Sequence, residues 1–276
     1  LIIAVIAIII AIIAIVNIKK SNKNGEKREA PTETIENQNL NEDEKDKSVI
    51  ETTRNTKIEN DKITKTGDSS NLSESDKTGK NSAVLVNKPN TVTVNNTEIT
   101  TNGAGASGVS ATSTGAKVTI NDTSITTSKE RSKGLLASNA ATIEAENLII
   151  KTTGNKSSGA VTDFRGGNLN IKNSIIETSG AHSSGVYSTG DIKVENTKIS
   201  TEKSTSAVID GTGKITLTNC DITSGGKRAV YIYYTGANPK DSVIGRFTMI
   251  GGSLNSNNGP AFYVTNTKAD IEIENH

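Results

Sequence analysis

The sequence is short of most of what a conventional globular enzyme is built from. Of its 276 residues one is Cys, one is Met, none is Trp, and three Phe with five Tyr are all its aromatics. Too few large apolar residues are present to fill one thick core, so burial must come from many small contributions. A lone Cys220 excludes an internal disulfide and a Cys-rich zinc site. It stands where other copies of its motif carry Thr or Ser and reads as a small buried filler. No charge of one sign dominates: the net charge is +1 and no long basic run occurs, which argues against a nucleic-acid partner. The Gly-rich TNGAGASG (101–108) is not followed by Gly-Lys-Ser/Thr, so it reads as turn glycines and not as a phosphate loop. No cofactor or metal is expected.

What is present falls into three zones. Residues 1–18 open with LIIAVIAIIIAIIAIV, an unbroken apolar run, and predict a single-pass transmembrane signal anchor, since no small-x-small cleavage site follows. Residues 19–81 mix Lys, Glu, Asp, Asn and Ser with few apolar residues and predict a disordered polar linker. Residues 82–276 form a repeat array. An anchor followed by a long tether places this array outside the cell, on the surface of the membrane.

The repeat is apolar-x-apolar-x-Asn. It occurs at VTVNN (92–96), VTIND (118–122), IEAEN (143–147), LNIKN (169–173), IKVEN (192–196), ITLTN (215–219), FTMIG (247–251) and IEIEN (271–275). The last positions are separated by 26, 25, 26, 23, 23, 32 and 24 residues, a period that signals a solenoid. Period-two alternation and β-branched residues make the units strands, which predicts an all-β parallel β-helix of about seven to eight coils. Its right hand follows the usual rule for parallel crossovers. Asn96, Asn147, Asn173, Asn196 and Asn219 then stack at one bend, with Asp122 as a polar substitute and Gly251 as a break in the ladder.

A second element precedes each coil's motif: SGVSA (107–111), KGLLA (133–137), SGAVT (158–162), SGVYS (184–188), SAVID (206–210), RAVYI (228–232) and PAFYV (260–264). With the third position facing the core, the fourth forms an outward column of Ser110, Leu136, Val161, Tyr187, Ile209, Tyr231 and Tyr263, with Tyr233 and Thr265 two residues further along their strands.

The segments SGVYSTGDIKVENTKIST and ITLTNCDIT resemble adhesin-like, right-handed parallel β-helix surface proteins of prokaryotes, which share the pectate-lyase-like fold. The resemblance covers Ser82 to His276 and implies a cell-surface protein whose partner is a glycan or another surface protein. It also ends in mid-repeat, as a fragment would. Enzymes use this fold too, so a polysaccharide lyase or glycoside hydrolase is the alternative. Such enzymes need several convergent carboxylates, and the best group here is Asp163 with Arg165 and Asp210 on neighbouring coils. Isolated surface carboxylates explain these more simply, as a solvated side chain explains His182, and no catalytic residue is assigned. The binding candidates are Tyr187, Tyr231, Tyr233 and Tyr263 beside the irregular insertion TGANPKDSVIG (235–245), because tyrosine rings on a flat sheet can stack on sugars and bond their rims.

Overall fold

The computed structural model describes residues 32–237 and 242–274. The expected anchor over 1–18 lies outside these residues, and among the described residues no helix is long and apolar enough to cross a membrane.

The chain winds into a parallel β-solenoid in which every strand pairs in parallel with its counterparts one coil before and after. Each coil has three walls. The first carries the apolar-x-apolar motif: Val92, Val118, Ile143, Leu169, Ile192, Ile215 and Phe247 stack in register and are fully buried. The second wall begins after the Asn bend and points two residues inward per coil: an unbroken column of Ile63, Ile99, Ile125, Ile150, Ile176, Ile199 and Ile222, and beside it a column that is Thr in most coils. The third wall is a separate nine-stranded sheet built from the second repeated element. Its inner face is small, with Val109, Leu135, Ala160, Val186, Ala207 and Val230 in one buried column. A narrow core of Val, Ile and Ala explains why so few aromatics suffice, because no interior point is far from a wall.

Two sequence features set the corners. Asn96, Asp122, Asn147, Asn173, Asn196 and Asn219 all have φ between 46° and 57°, the left-handed region that Asn and Asp tolerate best among side-chain-bearing residues. Gly251 keeps the same backbone at φ 66°, so it continues the bend instead of breaking it. The next residue turns inward: Thr97, Thr123, Ser174 and Thr197 are buried, and each hydroxyl donates to the carbonyl two residues back, at 2.6 to 2.8 Å. Cys220 occupies that column, and its thiol makes the corresponding contact to the Thr218 carbonyl at 3.3 Å. At the second corner a glycine (Gly108, Gly134, Gly159, Gly185) lies against the isoleucine column, where a Cβ would collide with the isoleucine Cγ2.

Two further expectations are corrected. The array has about ten coils, not seven to eight, because residues assigned to a disordered linker already belong to it. Strands Glu33–Glu36, Asn39–Glu42, Ile50–Glu51, Thr56–Glu59 and Lys62–Lys65 pair onto the later coils, and Asn37 and Asn60 make the same left-handed bend. One coil also carries a short helix, Leu72–Thr78, capped by Asn71 and by Gly79 in the left-handed conformation. Secondly, Ile209 faces inward and is fully buried, while Val208 takes its place in the outward column beside Tyr187 and Tyr231. The cause is a shortened corner: seven residues separate Thr178 from Gly185, but five separate Thr201 from Ser206. Aligning the serines of SGVYS and SAVID therefore slips the register by one, and a one-residue slip exchanges the faces of a strand.

Candidate binding site: a tyrosine strip on the third wall

The outer face of the third wall is treated differently along its length. Over the earlier coils it is apolar and covered: Leu85, Leu136 and Val161 point outward yet are at most 3% exposed, and Ser110 is fully buried. The helix Leu72–Thr78 and the chain after it lie across this face. Ser138 Oγ donates to the Lys77 carbonyl at 3.1 Å, Ser82 and Ser110 share a hydroxyl hydrogen bond of 2.7 Å, and Lys77 stands over the Phe164 ring at 5.8 Å. Asp76 fastens the helix by ion pairs to Arg131 and Lys133, of which Lys133 is nearly buried.

Beyond the helix the same face carries the four tyrosines. Strands Val186–Ser188, Ala207–Asp210, Val230–Tyr233 and Phe262–Thr265 are consecutive neighbours, so register places Tyr187, Val208, Tyr231 and Tyr263 in one outward column and Asp210, Tyr233 and Thr265 in the next. Tyr231 and Tyr233 stack with ring centroids 4.6 Å apart and planes 9° from parallel. Tyr263 tilts against Tyr231 at 5.7 Å and is 45% exposed, the most open member. Arg228 lays its guanidinium over both, 4.2 Å from the Tyr231 centroid and 4.8 Å from that of Tyr263. One expectation of the sequence is thereby modified. Ring faces that a sugar would use are shared with a cation, and the strip presents hydroxyl edges and a guanidinium fork.

At the inner end of the strip Tyr187 Oη donates to Asp210 Oδ2 at 3.0 Å. Having one proton, it must accept from Tyr233 Oη in their 3.4 Å contact. Burial pushes the Tyr187 hydroxyl far above its ordinary range, and the neighbouring Tyr233 and Asp210 push the same way, so it remains a neutral donor. Tyr233 is raised too, again chiefly by burial. Asp210 also accepts from the Thr235 amide at 3.1 Å and from its hydroxyl. This ties the first residues of the insertion to the strip; residues 238–241 of that loop lie outside the described residues.

The carboxylates weighed as catalysts do come to this face. Asp163 pairs in register with Ser138 and lies two coils from Asp210, roughly 9.6 Å at ~4.8 Å per coil. Burial raises the Asp163 carboxyl above its ordinary value, against the opposing pull of the Phe164 amide and Lys133. Arg165 does not join it: the residue sits at φ 68° in the corner with its guanidinium over Phe164 at 5.7 Å. His182 is exposed in a corner at φ 56°. The predicted Asn ladder lies at a different corner and is exposed. Its side chains bond irregularly: Asn196 to Asn173 at 3.3 Å, Asn147 to Asp122 at 3.0 Å, and Asn173 to Glu146 in place of Asn147.

Sequence reasoning missed Arg228, Asp210 as the partner of Tyr187, and the helix that covers the neighbouring coils. A second candidate surface is a shallow groove of about 510 Å³ on the first wall, bordered by Thr119, Glu144, Asn170, Lys193 and Thr216. Several charges along it are already matched, with Lys117 near Glu144 and Lys172 on Glu195, so it offers less unsatisfied chemistry than the strip. Among the described residues no cluster of His, Cys, Asp and Glu could hold a metal. Comparison with family models, with the curated proteins and with solved structures gave no match.

Proposed function

We propose that the chain is a non-catalytic binding scaffold of the cell surface, adhesin-like in organisation, in which a rigid solenoid of right-handed winding displays the tyrosine strip to a glycan or protein partner. The observation that carries this reading is the convergence of Tyr187, Tyr231, Tyr233 and Tyr263 with Arg228 on one face of four neighbouring strands. On the earlier coils a helix lies across that face. Tyrosine and arginine are the side chains that most often anchor interfaces, since they bring large contact area and polar edges at low entropic cost. The apolar run 1–16 supports a membrane anchor and hence the surface location.

A hydrolase is the second reading, favoured by one observation: a half-buried Asp163 whose carboxyl is raised above its ordinary value, two coils from Asp210. Against it, Asp210 already spends its oxygens on Tyr187 and Thr235. The test is binding of the full chain to glycan and surface-protein arrays, for wild type and for Tyr231→Ala with Tyr263→Ala, with circular dichroism to show that both are folded. Loss of binding in the folded variant supports the strip. Equal binding by both refutes it, and release of reducing ends or unsaturated products from a polysaccharide establishes the enzyme instead.

A further inference from the structure

The third wall holds an internal comparison that indicates what the strip lacks. Two residues before the register positions Leu135, Ala160, Val186, Ala207 and Val230 stand Lys133, Ser158, Ser184, Thr205 and Arg228. A cation therefore occurs twice at one position of the repeat, four coils apart. At Lys133 the chain supplies the counter-charge itself: Asp76, carried by the helix across the outer face, pairs with Lys133 and Arg131. At Arg228 no segment does so. Among the described residues no carboxylate lies within ion-pairing distance of it, and its Nε is buried without a hydrogen-bond partner. The guanidinium lies over both the Tyr231 and Tyr263 rings, which holds the fork in place while leaving its donors unused.

An unpaired, partly desolvated arginine costs stability unless an acceptor meets it, and a carboxylate matches its fork best. We infer that the strip takes an acidic peptide segment of a partner protein, whose Asp or Glu carboxylate docks on Arg228 as Asp76 docks on Lys133, with its backbone lying along the Tyr231 and Tyr263 edges. The occupant is assigned as peptide and not sugar for two reasons. The Arg228 guanidinium lies over the Tyr231 and Tyr263 rings and Tyr233 stacks on Tyr231, so a sugar would have to compete with them for ring face, and the occupant of the equivalent face on the earlier coils is a polypeptide. This inference rests on the strip being a recognition surface, and it names the chemistry of the partner.

The test uses the full chain and an array of 12-residue peptides containing Asp or Glu, each beside its Asn or Gln counterpart, with galacturonate oligomers as a second arm. Wild type is expected to bind a subset of acidic peptides and not their amide counterparts. That binding should weaken at least tenfold in Arg228→Ala, be restored only in part by Arg228→Lys, and fall with added salt. Equal binding of acidic peptides by Arg228→Ala overturns the inference. Binding confined to the galacturonate arm overturns it in favour of an acidic glycan and leaves the strip standing. Loss on Tyr231→Ala with Tyr263→Ala, but not on Arg228→Ala, likewise keeps the strip and removes its acidic partner. Binding of neither probe class overturns the peptide assignment.

Discussion

Gly185 and Ile199 offer a sharp test of how the coils are packed. A Cβ added at Gly185 would stand 2.2 Å from Ile199 Cγ2 and 3.0 Å from the Ser206 carbonyl oxygen. Its φ is not in the left-handed region, so Gly185→Ala is unstrained in backbone and would gain roughly 0.4 to 1 kcal/mol from a less free unfolded chain. The collision opposes this, and overpacking of this kind costs about 1 to 3 kcal/mol, so the net loss should be on the order of 1 to 2 kcal/mol. Ile199 is fully buried, and Ile199→Ala alone should cost about 2 to 5 kcal/mol. In the double variant the colliding Cγ2 is gone, and the nearest remaining Ile199 atom, Cβ, lies 3.7 Å away in ordinary contact. The two losses should therefore fall short of additivity by about 1 kcal/mol or more. Urea unfolding followed by circular dichroism reads all four corners of the cycle, provided the slope is unchanged between variants. A neutral Gly185→Ala, or strictly additive losses, would show that the glycine column is not packed on the isoleucine column.

Further outcomes follow from the same geometry. Val194 is 2% exposed on the inner face and Lys193 points outward, so Val194→Asp should cost at least about 3 kcal/mol while Lys193→Asp leaves the melting transition nearly unchanged; a reversed pair would invert the walls. Asn196 is exposed at φ 48°, so Asn196→Leu should lose about 1 to 2 kcal/mol by backbone strain and Asn196→Gly much less, and equal losses would credit the side-chain ladder instead. Asp163 has a folded-state pKa above its unfolded value, which means that its ionised form disfavours the folded state. Asp163→Asn should accordingly be more stable than wild type above the raised pKa, with the gain shrinking as pH falls through that value towards the unfolded one near 3.8; a pH-independent difference would exclude titration as its source.

The first wall was legible because its signal is strong in single residues. Two apolar residues two apart, with Asn or Asp two residues further on, imply a strand and a bend, and the residues from Asn96 to Asn219 at that position all adopt the bend. The early coils were not legible because their inward positions are taken by polar or lone apolar residues. TETIEN (32–37) and TKIEN (56–60) point Glu33, Ile35, Thr56 and Ile58 inward among charges, and Lys65 stands fully buried where later coils have Thr. The Lys65 ammonium bonds the Glu44 carbonyl at 2.7 Å, and burial lowers its pKa. The signal that could have found these coils is the pair Asn37 and Asn60, spaced by 23 residues like two later pairs; the next interval, to Asn96, is 36 because the helix is inserted there. At the strip, all four tyrosines were legible from their place in the repeat. The surroundings were not: Arg228 belongs to a corner, Asp210 was displaced by the misread register of SAVID, and the covering helix comes from a distant coil.

Tyrosine nitration with mass-spectrometric readout tests the central claim most directly, because it reports on each ring of the strip in the intact chain. In the free protein Tyr263, at 45% exposed, should react fastest and Tyr187, half-buried and hydrogen-bonded to Asp210, slowest. With a bound partner in place, Tyr231 and Tyr263 should be protected together while Tyr187 is unchanged. A partner that binds yet leaves Tyr231 and Tyr263 as reactive as in the free chain would contradict the assignment of this face as the recognition surface.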